Sequence, residues 1–337
     1  MRQEEKRSST PRTDCRITCV RSLVRHWFTP TSALLTAFLS LCAAWTCGHA
    51  ADAPVLKTKS LFFIQGDYRQ PSDVAAGSNG RIYVLDGVNN RVRVHAAGGN
   101  LLFSFGTTGT GSGEFNFPLG IGIDTGNRVY VADAGNHRVQ IFTPDGSYLS
   151  QLSTDIDRDQ SRASDPTDVA VNSLLKRCYV VDNDNHRVII YDLQSMKFLR
   201  SEGVMGMEKK EFRYPFMIDM DSSGNLYVVE VINTRVKVLD PEGAYLTGIG
   251  SFGVEPGQLY RPKGVAIDPA GRVFVSDSYL GVIQVFDGQG RFLWVLGDES
   301  GTIIKFKTPT GIFIDKNRKL YVVEMLADRV RVLQLPD

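Results

Sequence analysis

Six prolines recur along the chain at nearly constant spacing, and this repeat constrains the fold more than any other feature of the sequence. Successive prolines are separated by 47, 48, 49, 47 and 47 residues and stand at Pro71, Pro118, Pro166, Pro215, Pro262 and Pro309. Each proline begins a first strand-like segment of alternating apolar residues, such as GIGID (120–124), which is followed by a turn rich in Gly, Asn and Asp. A second strand such as RVYVAD (128–133) comes next, followed by a third strand and usually a fourth. Four short strands per unit predict an all-β chain of antiparallel meanders.

The two ends of the repeat region complement each other. A meander of this size cannot bury both faces alone, whereas radial stacking around an axis buries them all. The last unit stops after its third strand, RVRVLQL (329–335), and SLFFIQG (60–66) matches the fourth strand RFLWVLG (291–297) position for position. We therefore predict one six-bladed β-propeller over residues 60–337, closed by an N-terminal strand at about 60–66 that completes the last blade.

The segments that cross between blades share a bulky residue. In five of six crossings an apolar or aromatic side chain stands three residues before the proline, at Tyr68, Phe115, Phe212, Leu259 and Phe306. Its recurrence at one repeat position predicts packing between blades.

The turn after the second strand carries a recognisable motif. DGVNNRVRV (86–94), DAGNHRVQI (133–141) and DNDNHRVII (182–190) resemble NHL repeats, and the resemblance extends over about residues 60–335, weakening in the last blades. It implies a six-bladed propeller that presents one face to a protein or other ligand. Related six-bladed folds include metal-dependent hydrolases and lyases whose acid and histidine ligands line the central channel.

The first 50 residues have the composition of a leader. A basic segment precedes an apolar run of 13 residues (33–45), shorter than the roughly 20 that span a bilayer. Gly48 and Ala50 are the small residues that a signal peptidase reads, so we predict a signal peptide over 1–50, a linker over 51–59 and export to the periplasm or medium. The alternatives are a lipoprotein anchored through Cys47 and an uncleaved N-terminal anchor.

The charge that remains after cleavage argues against nucleic acid as a partner. Removing the seven basic and three acidic residues of the leader from totals of 38 and 37 leaves 31 and 34, a net charge of −3. Mildly acidic proteins bind nucleic acid poorly. The mature chain is also predicted to have no stable membrane span, and its one cysteine, Cys178, occupies an apolar strand position typical of a buried thiol.

An acid ends the second strand of every blade, and in five blades an arginine follows five residues later. A hairpin brings the two together, which predicts a repeated stabilising ion pair rather than a catalytic group. Asp277 is the exception, because Val282 replaces its arginine.

The channel is the place where an enzyme of this fold would act. The residue two after each proline is predicted to line its mouth: Asp73, Gly120, Asp168, Met217, Gly264 and Gly311. Two acids are few for a catalytic metal, which usually has three protein ligands. We therefore predict no metal, no cofactor and no catalytic residue, with a metal-dependent hydrolase or lyase using Asp73 and Asp168 as the alternative.

A different asymmetry favours binding. The turns between second and third strands are polar or small in the first three blades and apolar in the last three, at Val231, Ile232, Tyr279, Leu280, Met325 and Leu326. Such turns share one face of a propeller, so six apolar side chains would form a patch of the size that marks an interaction site. Alternatively, neighbouring crossings such as GVMGMEKK (203–210) cover them. We predict a non-catalytic module that binds a protein partner through these residues, or forms a homodimer through them.

Overall fold

The computed structural model describes residues 53–156 and 163–337. The predicted signal peptide and Cys47 lie outside the described residues. Within them, short strands alternate with turns, and three turns contain a single 3-10 helix: Gly87–Asn89, Ala134–Asn136 and Met325–Ala327. No helix of the described part is both long and apolar enough to cross a membrane.

Each of the first three blades is a four-stranded antiparallel meander. Blade one contains β3 (Asp73–Ala76), β4 (Ile82–Asp86), β5 (Arg91–His95) and β6 (Leu101–Phe105); the crossing to blade two contains the parallel pair β7 (Thr107–Thr108) and β8 (Glu114–Phe115). Blade two contains β9 (Pro118–Ile123), β10 (Val129–Asp133), β11 (Arg138–Phe142) and β12 (Tyr148–Ser153), and blade three contains β13 (Pro166–Asn172), β14 (Arg177–Asp182), β15 (Arg187–Asp192) and β16 (Lys197–Glu202).

The last three blades repeat this order. Blade four contains β17 (Pro215–Met220), β18 (Leu226–Glu230), β19 (Arg235–Leu239) and β20 (Tyr245–Ile249), and blade five contains β21 (Pro262–Ile267), β22 (Val273–Asp277), β23 (Val282–Phe286) and β24 (Phe292–Gly297). Blade six takes β25 (Pro309–Ile314), β26 (Lys319–Glu324) and β27 (Arg329–Gln334) from the end of the chain.

The predicted closure is confirmed. The fourth strand of blade six is β2 (Lys59–Ile64), which pairs antiparallel with β27, Lys59 opposite Gln334 and Ile64 opposite Val330. Part of the segment expected to be a linker is also a strand. β1 (Val55–Lys57) pairs in parallel with β24 and gives blade five a fifth strand, because the outer edge of β24 offers unpaired backbone groups.

The core lies between blades. Six apolar clusters each join the facing sheets of two neighbours, and the cluster between blades six and one contains Ile64, Val74 and Val323. The five bulky crossing residues predicted to pack there are all buried, as expected: Tyr68, Phe115, Phe212, Leu259 and Phe306. The ring is therefore sealed by apolar contacts at every interface, including the one between its ends.

One face of the ring is formed by the crossings together with the turns between second and third strands. In blades two to six a backbone hydrogen bond ties this turn to the crossing just before the inner strand of the same blade, for example from the Val231 amide to the Tyr214 carbonyl at 3.3 Å and from the Ser278 amide to the Arg261 carbonyl at 3.0 Å. We call this surface the crossing face.

Candidate functional site

The acids that end the second strands are structural. All six are fully buried, although they are charged side chains: Asp86, Asp133, Asp182, Glu230, Asp277 and Glu324. Asp133 shows the pattern, accepting hydrogen bonds from the Asn116 amide at 2.7 Å, from Asn136 Nδ2 at 2.9 Å and from Arg138 Nε at 2.8 Å. The acids of blades one to five each accept a backbone amide of the preceding crossing in this way. They therefore join hairpin to crossing, as a repeated stabilising role predicts.

Asp277 lacks an arginine, and backbone amides replace it. One oxygen accepts from the amides of Tyr260 at 2.7 Å and Arg261 at 3.0 Å, and the other from Tyr279 at 3.1 Å and Leu280 at 3.0 Å. Four such bonds stabilise a buried carboxylate without a counter-ion. Asp277 therefore organises the turn and has no free oxygen to offer a substrate.

The two channel acids lie on a central cavity of about 190 Å³. Asp73 accepts hydrogen bonds from its neighbour Val74 and, at 2.9 Å, from the amide of Ile121 in the next blade. Asp168 does the same with Val169 and, at 2.9 Å, with Ile218 of blade four. Both carboxylates thus connect adjacent inner strands.

Four other residues were also predicted to line the channel mouth. Of these, Met217 lines the cavity. Two of the three glycines instead make room for the acids. A Cβ on Gly311 would lie 2.1 Å from Asp73 Oδ1, and one on Gly120 would lie 2.4 Å from Asp168 Oδ1. Glycine is needed at these two positions because any side chain would displace the carboxylate of the neighbouring blade.

A third cavity acid, Asp219, was missed by the sequence reasoning. It lies four rather than two residues after its proline and accepts a 2.8 Å hydrogen bond from the Ile267 amide of blade five. The strand alternation could have identified Asp219, because the residues two and four positions after the proline lie on the same face of the inner strand. Burial raises the pKa of Asp73 and that of Asp219 to about 7, and burial and the nearby Asp73 raise the pKa of Asp168 well above its ordinary value.

No cluster of three or more His, Cys, Asp or Glu side chains within residues 53–156 and 163–337 has the arrangement of a metal site. His137 and His186 each follow their turn with a left-handed backbone. His137 Nδ1 is bonded to the Ser164 carbonyl and His186 Nδ1 accepts from the Tyr214 amide, so both histidines hold crossings.

The six apolar turn residues lie on the crossing face. Ile232, Tyr279 and Leu326 are 49%, 62% and 64% exposed, and Val231, Leu280 and Met325 are half-buried. The crossings therefore leave Ile232, Tyr279 and Leu326 open to solvent, and the other three in part.

The crossings themselves extend the apolar surface, which the turns alone did not predict. The crossing into blade four exposes Val204, Met205 and Met207, and the crossing into blade five exposes Phe252 and Val254. We call these five residues and the six turn residues together the apolar sector.

Three aromatic rings lie within or beside this sector. Tyr260 stacks on Tyr279 with centroids 4.2 Å apart, and Phe252 packs against the same Tyr260 ring at 5.5 Å. A hollow of about 160 Å³ is lined by Val254, Leu280 and further residues of blade five and of the crossings on either side of it. The arrangement offers aromatic rings and a shallow depression to an apolar ligand.

Comparison with known proteins finds a repeat family in two of the blades. The NHL repeat model matches residues 68–94 and 115–142, which lie in blades one and two. The chain is a six-bladed β-propeller with NHL repeats at these two matched segments. No curated protein matches it by sequence.

Solved structures share the propeller fold at low identity. A gluconolactonase from Xanthomonas campestris is 16% identical over 85% of this chain and 95% of its own, with a TM-score of 0.62. A catalytically inactive virginiamycin B lyase from Staphylococcus aureus, solved with quinupristin, is 15% identical over 80% of this chain and 82% of its own, with a TM-score of 0.58. A Bacteroides thetaiotaomicron protein of unknown function is 16% identical over 85% and 74%, with a TM-score of 0.62. At such identities the similarity shows the fold alone.

Proposed function

We propose that this NHL-repeat propeller is an exported, non-catalytic binding module that holds a protein partner on the apolar sector of its crossing face. The observation that carries the proposal is the concentration of exposed apolar side chains in the turns and crossings of blades four to six. Tyr279, Phe252, Met207 and Leu326 are each more than 60% exposed. A concentration of exposed apolar surface commonly marks an interaction site on a soluble protein.

The composition of the sector suits a protein partner. Aromatic residues and methionine are enriched in protein interfaces, and unbranched methionine side chains adapt to an irregular surface. Met205 and Met207 lie in one crossing, whereas the stacked rings of Tyr260 and Tyr279 form a more rigid element beside them. A partner would therefore meet a fixed aromatic platform flanked by adaptable side chains.

A metal-dependent hydrolase or lyase is the second candidate, supported by the fold shared with a lactonase and a lyase. Against it, Asp73 and Asp168 each accept an amide hydrogen bond from the next blade and press against a glycine. These contacts account for both acids structurally. Elemental analysis of protein purified without added ions separates the candidates: one bound metal per chain, lost on Asp168→Asn, would support the enzyme.

The binding proposal is tested by replacing two sector residues that do not support the core. We expect Tyr279→Ser combined with Met325→Ser to weaken binding of a partner recovered from the cell envelope by at least tenfold, with the melting temperature unchanged. The dissociation constant is measured with purified components, so recovery alone does not count as support.

The matched control is Leu102→Ser. Leu102 is 51% exposed on β6, the outer strand of blade one, so it is as accessible as the sector but lies away from the crossing face. Equal affinity of the double variant and the wild type would refute the proposal. A mass that rises with protein concentration and falls back in the double variant would identify the partner as a second copy of the chain.

A further inference from the structure

The inner strands of blades four and five bring a lysine onto a phenylalanine at the channel rim. Lys263 follows Pro262 at the start of β21, and Phe216 follows Pro215 at the start of β17. Lys263 Nζ lies 4.0 Å from the centroid of the Phe216 ring. Inner strands begin at the crossing face, so this contact lies at the crossing-face end of two neighbouring inner strands, which we call the rim, and it spans two blades.

The ammonium group of Lys263 lacks a counter-charge. Among the residues that the structure describes, it has neither a hydrogen-bond acceptor nor a carboxylate partner. Burial lowers its pKa, and repulsion from Arg261 lowers it further. A half-buried ammonium group beside a second cation is unfavourable unless an anion approaches.

Two arginines extend the positive charge of the rim. The side chain of the exposed Arg261 makes no ion pair within the described part of the chain. Arg213, which precedes Phe216 by three residues, has a buried Nε with no hydrogen-bond partner among those residues. The arginines of the hairpins differ, because they meet carboxylates, as Arg138 meets Asp133 at 2.8 Å. The rim therefore collects cationic side chains that the fold does not neutralise.

The cationic rim adjoins the aromatic rings. Tyr260 precedes Arg261 directly and stacks on Tyr279. Three residues of extended chain separate Tyr260 from Lys263, a span of about 10 Å. A ligand that reaches both features would need a negative charge and a flat apolar group at about that separation.

We propose that the rim at Lys263 and Arg261 binds a carboxylate of the partner, and that the partner segment is an extended peptide with an acidic residue close to an aromatic one. The inference rests on the proposed function, because the aromatic half of the site belongs to the apolar sector. The positive charge stands where blades four and five meet, and neither of these two side chains makes an ion pair with any described residue. In an extended peptide, residues i and i+2 face the same side about 7 Å apart, and their side chains can splay to cover the remaining 3 Å or so, so an acid and an aromatic at positions i and i+2 reach the rim and the rings together.

Two capped hexapeptides test the inference by calorimetry on the full chain: acetyl-GEGWLG-amide, and the matched peptide with glutamine in place of glutamate. We expect the glutamate peptide to bind about tenfold tighter, since a charge-assisted hydrogen bond replaces a neutral one. Lys263→Met should remove this preference and leave the affinity for the glutamine peptide unchanged. Lys316→Met, the same charge change at an exposed turn on the opposite face, should leave the preference intact.

Each other result overturns the inference. Equal affinity for the two peptides, no heat from either at millimolar concentration, or a preference that survives Lys263→Met would each do so. Tighter binding of sodium citrate than of the glutamate peptide would assign the rim to small polycarboxylates. The proposed function is judged separately: a partner that is lost on Tyr279→Ser with Met325→Ser but retained by Lys263→Met would leave it standing while this inference fails.

Discussion

The interior of blade four and the channel rim of blade five each place a lysine on a phenylalanine ring, and the two sites differ in everything else. Lys237 is fully buried, with Nζ 4.1 Å from the Phe212 centroid and 3.7 Å from a carboxylate oxygen of Glu230. It also donates to the carbonyls of Glu208 and Glu211. Among the described residues, the ammonium group of Lys263 interacts with the Phe216 ring and with no carbonyl or carboxylate.

The difference separates stability from recognition. In the interior, charges are buried where the repeat supplies acceptors, so they fix the hairpins and crossings. At the rim, a charge is left without an acceptor among the described residues, and its contact with the fold is the Phe216 ring. Binding sites commonly leave such groups to be satisfied by the ligand. Changes in the interior should therefore alter unfolding, and changes at the rim should alter binding.

The largest effect is expected from opening the ring, because the interior of blade four and the rim of blade five both depend on the closed propeller. Deleting residues 60–66 removes most of β2, leaves β27 with an unpaired edge and exposes the cluster around Val330. We expect loss of cooperative thermal unfolding, measured by circular dichroism and calorimetry. A deletion variant that melts like the parent would show that the ring does not depend on this strand.

The two lysines give the most direct test of the comparison. Lys237→Met leaves the carbonyls of Glu208 and Glu211 without this donor and removes an ion pair of the buried Glu230, and it should lower the free energy of unfolding by about 2 kcal/mol. Lys263→Met removes no hydrogen bond and should change it by less than about 0.5 kcal/mol. Urea unfolding of both variants measures the difference. Equal losses would mean that the rim lysine is structural.

A smaller effect is expected in the pH dependence of stability, which depends on the buried carboxyl groups and not on the rim. The folded pKa of Asp73 and of Asp219 is about 7, above the unfolded value near 4, so the folded state binds more protons between these limits. Stability should therefore fall as pH rises from about 4 through 7 and then level off. Burial raises the pKa of Asp165 to about 6 in the same sense, while the lowered pKa of His95 acts in the opposite sense.

We expect the melting temperature to be a few degrees higher at pH 5.5 than at pH 8. Asp219→Asn, which removes one of the titrating carboxyls, should reduce this difference. A melting temperature that rises with pH over the same range would contradict the raised pKa values.

The sequence predicted the ring because its repeat is strong. Proline spacing and strand alternation are local signals that recur six times, and the missing fourth strand could be matched to residues 60–66. β1 could not be predicted in the same way, because its three residues repeat nothing and pair in parallel with a strand far along the chain. Its position is set by an available sheet edge rather than by its own pattern.

Part of the apolar sector could be recognised from the sequence. The six apolar turn residues stand out because they interrupt a polar repeat position, whereas Phe252 and Met207 lie in crossings whose length and sequence vary. The channel prediction identified Asp73 and Asp168 but missed Asp219, which is displaced by two residues. Lys263 could not be recognised from sequence, because the absence of a counter-charge depends on which side chains the folded rim brings together.

The closure of the ring by β2 has a consequence for folding during synthesis. Ile64 emerges near the beginning of the ring, but its partner Val330 lies far along the chain and is made much later. A contact between such distant residues forms slowly, since a long loop must close first. Until then the first blade has an unmatched apolar flank, so the nascent chain depends on protection from aggregation until its final strand arrives.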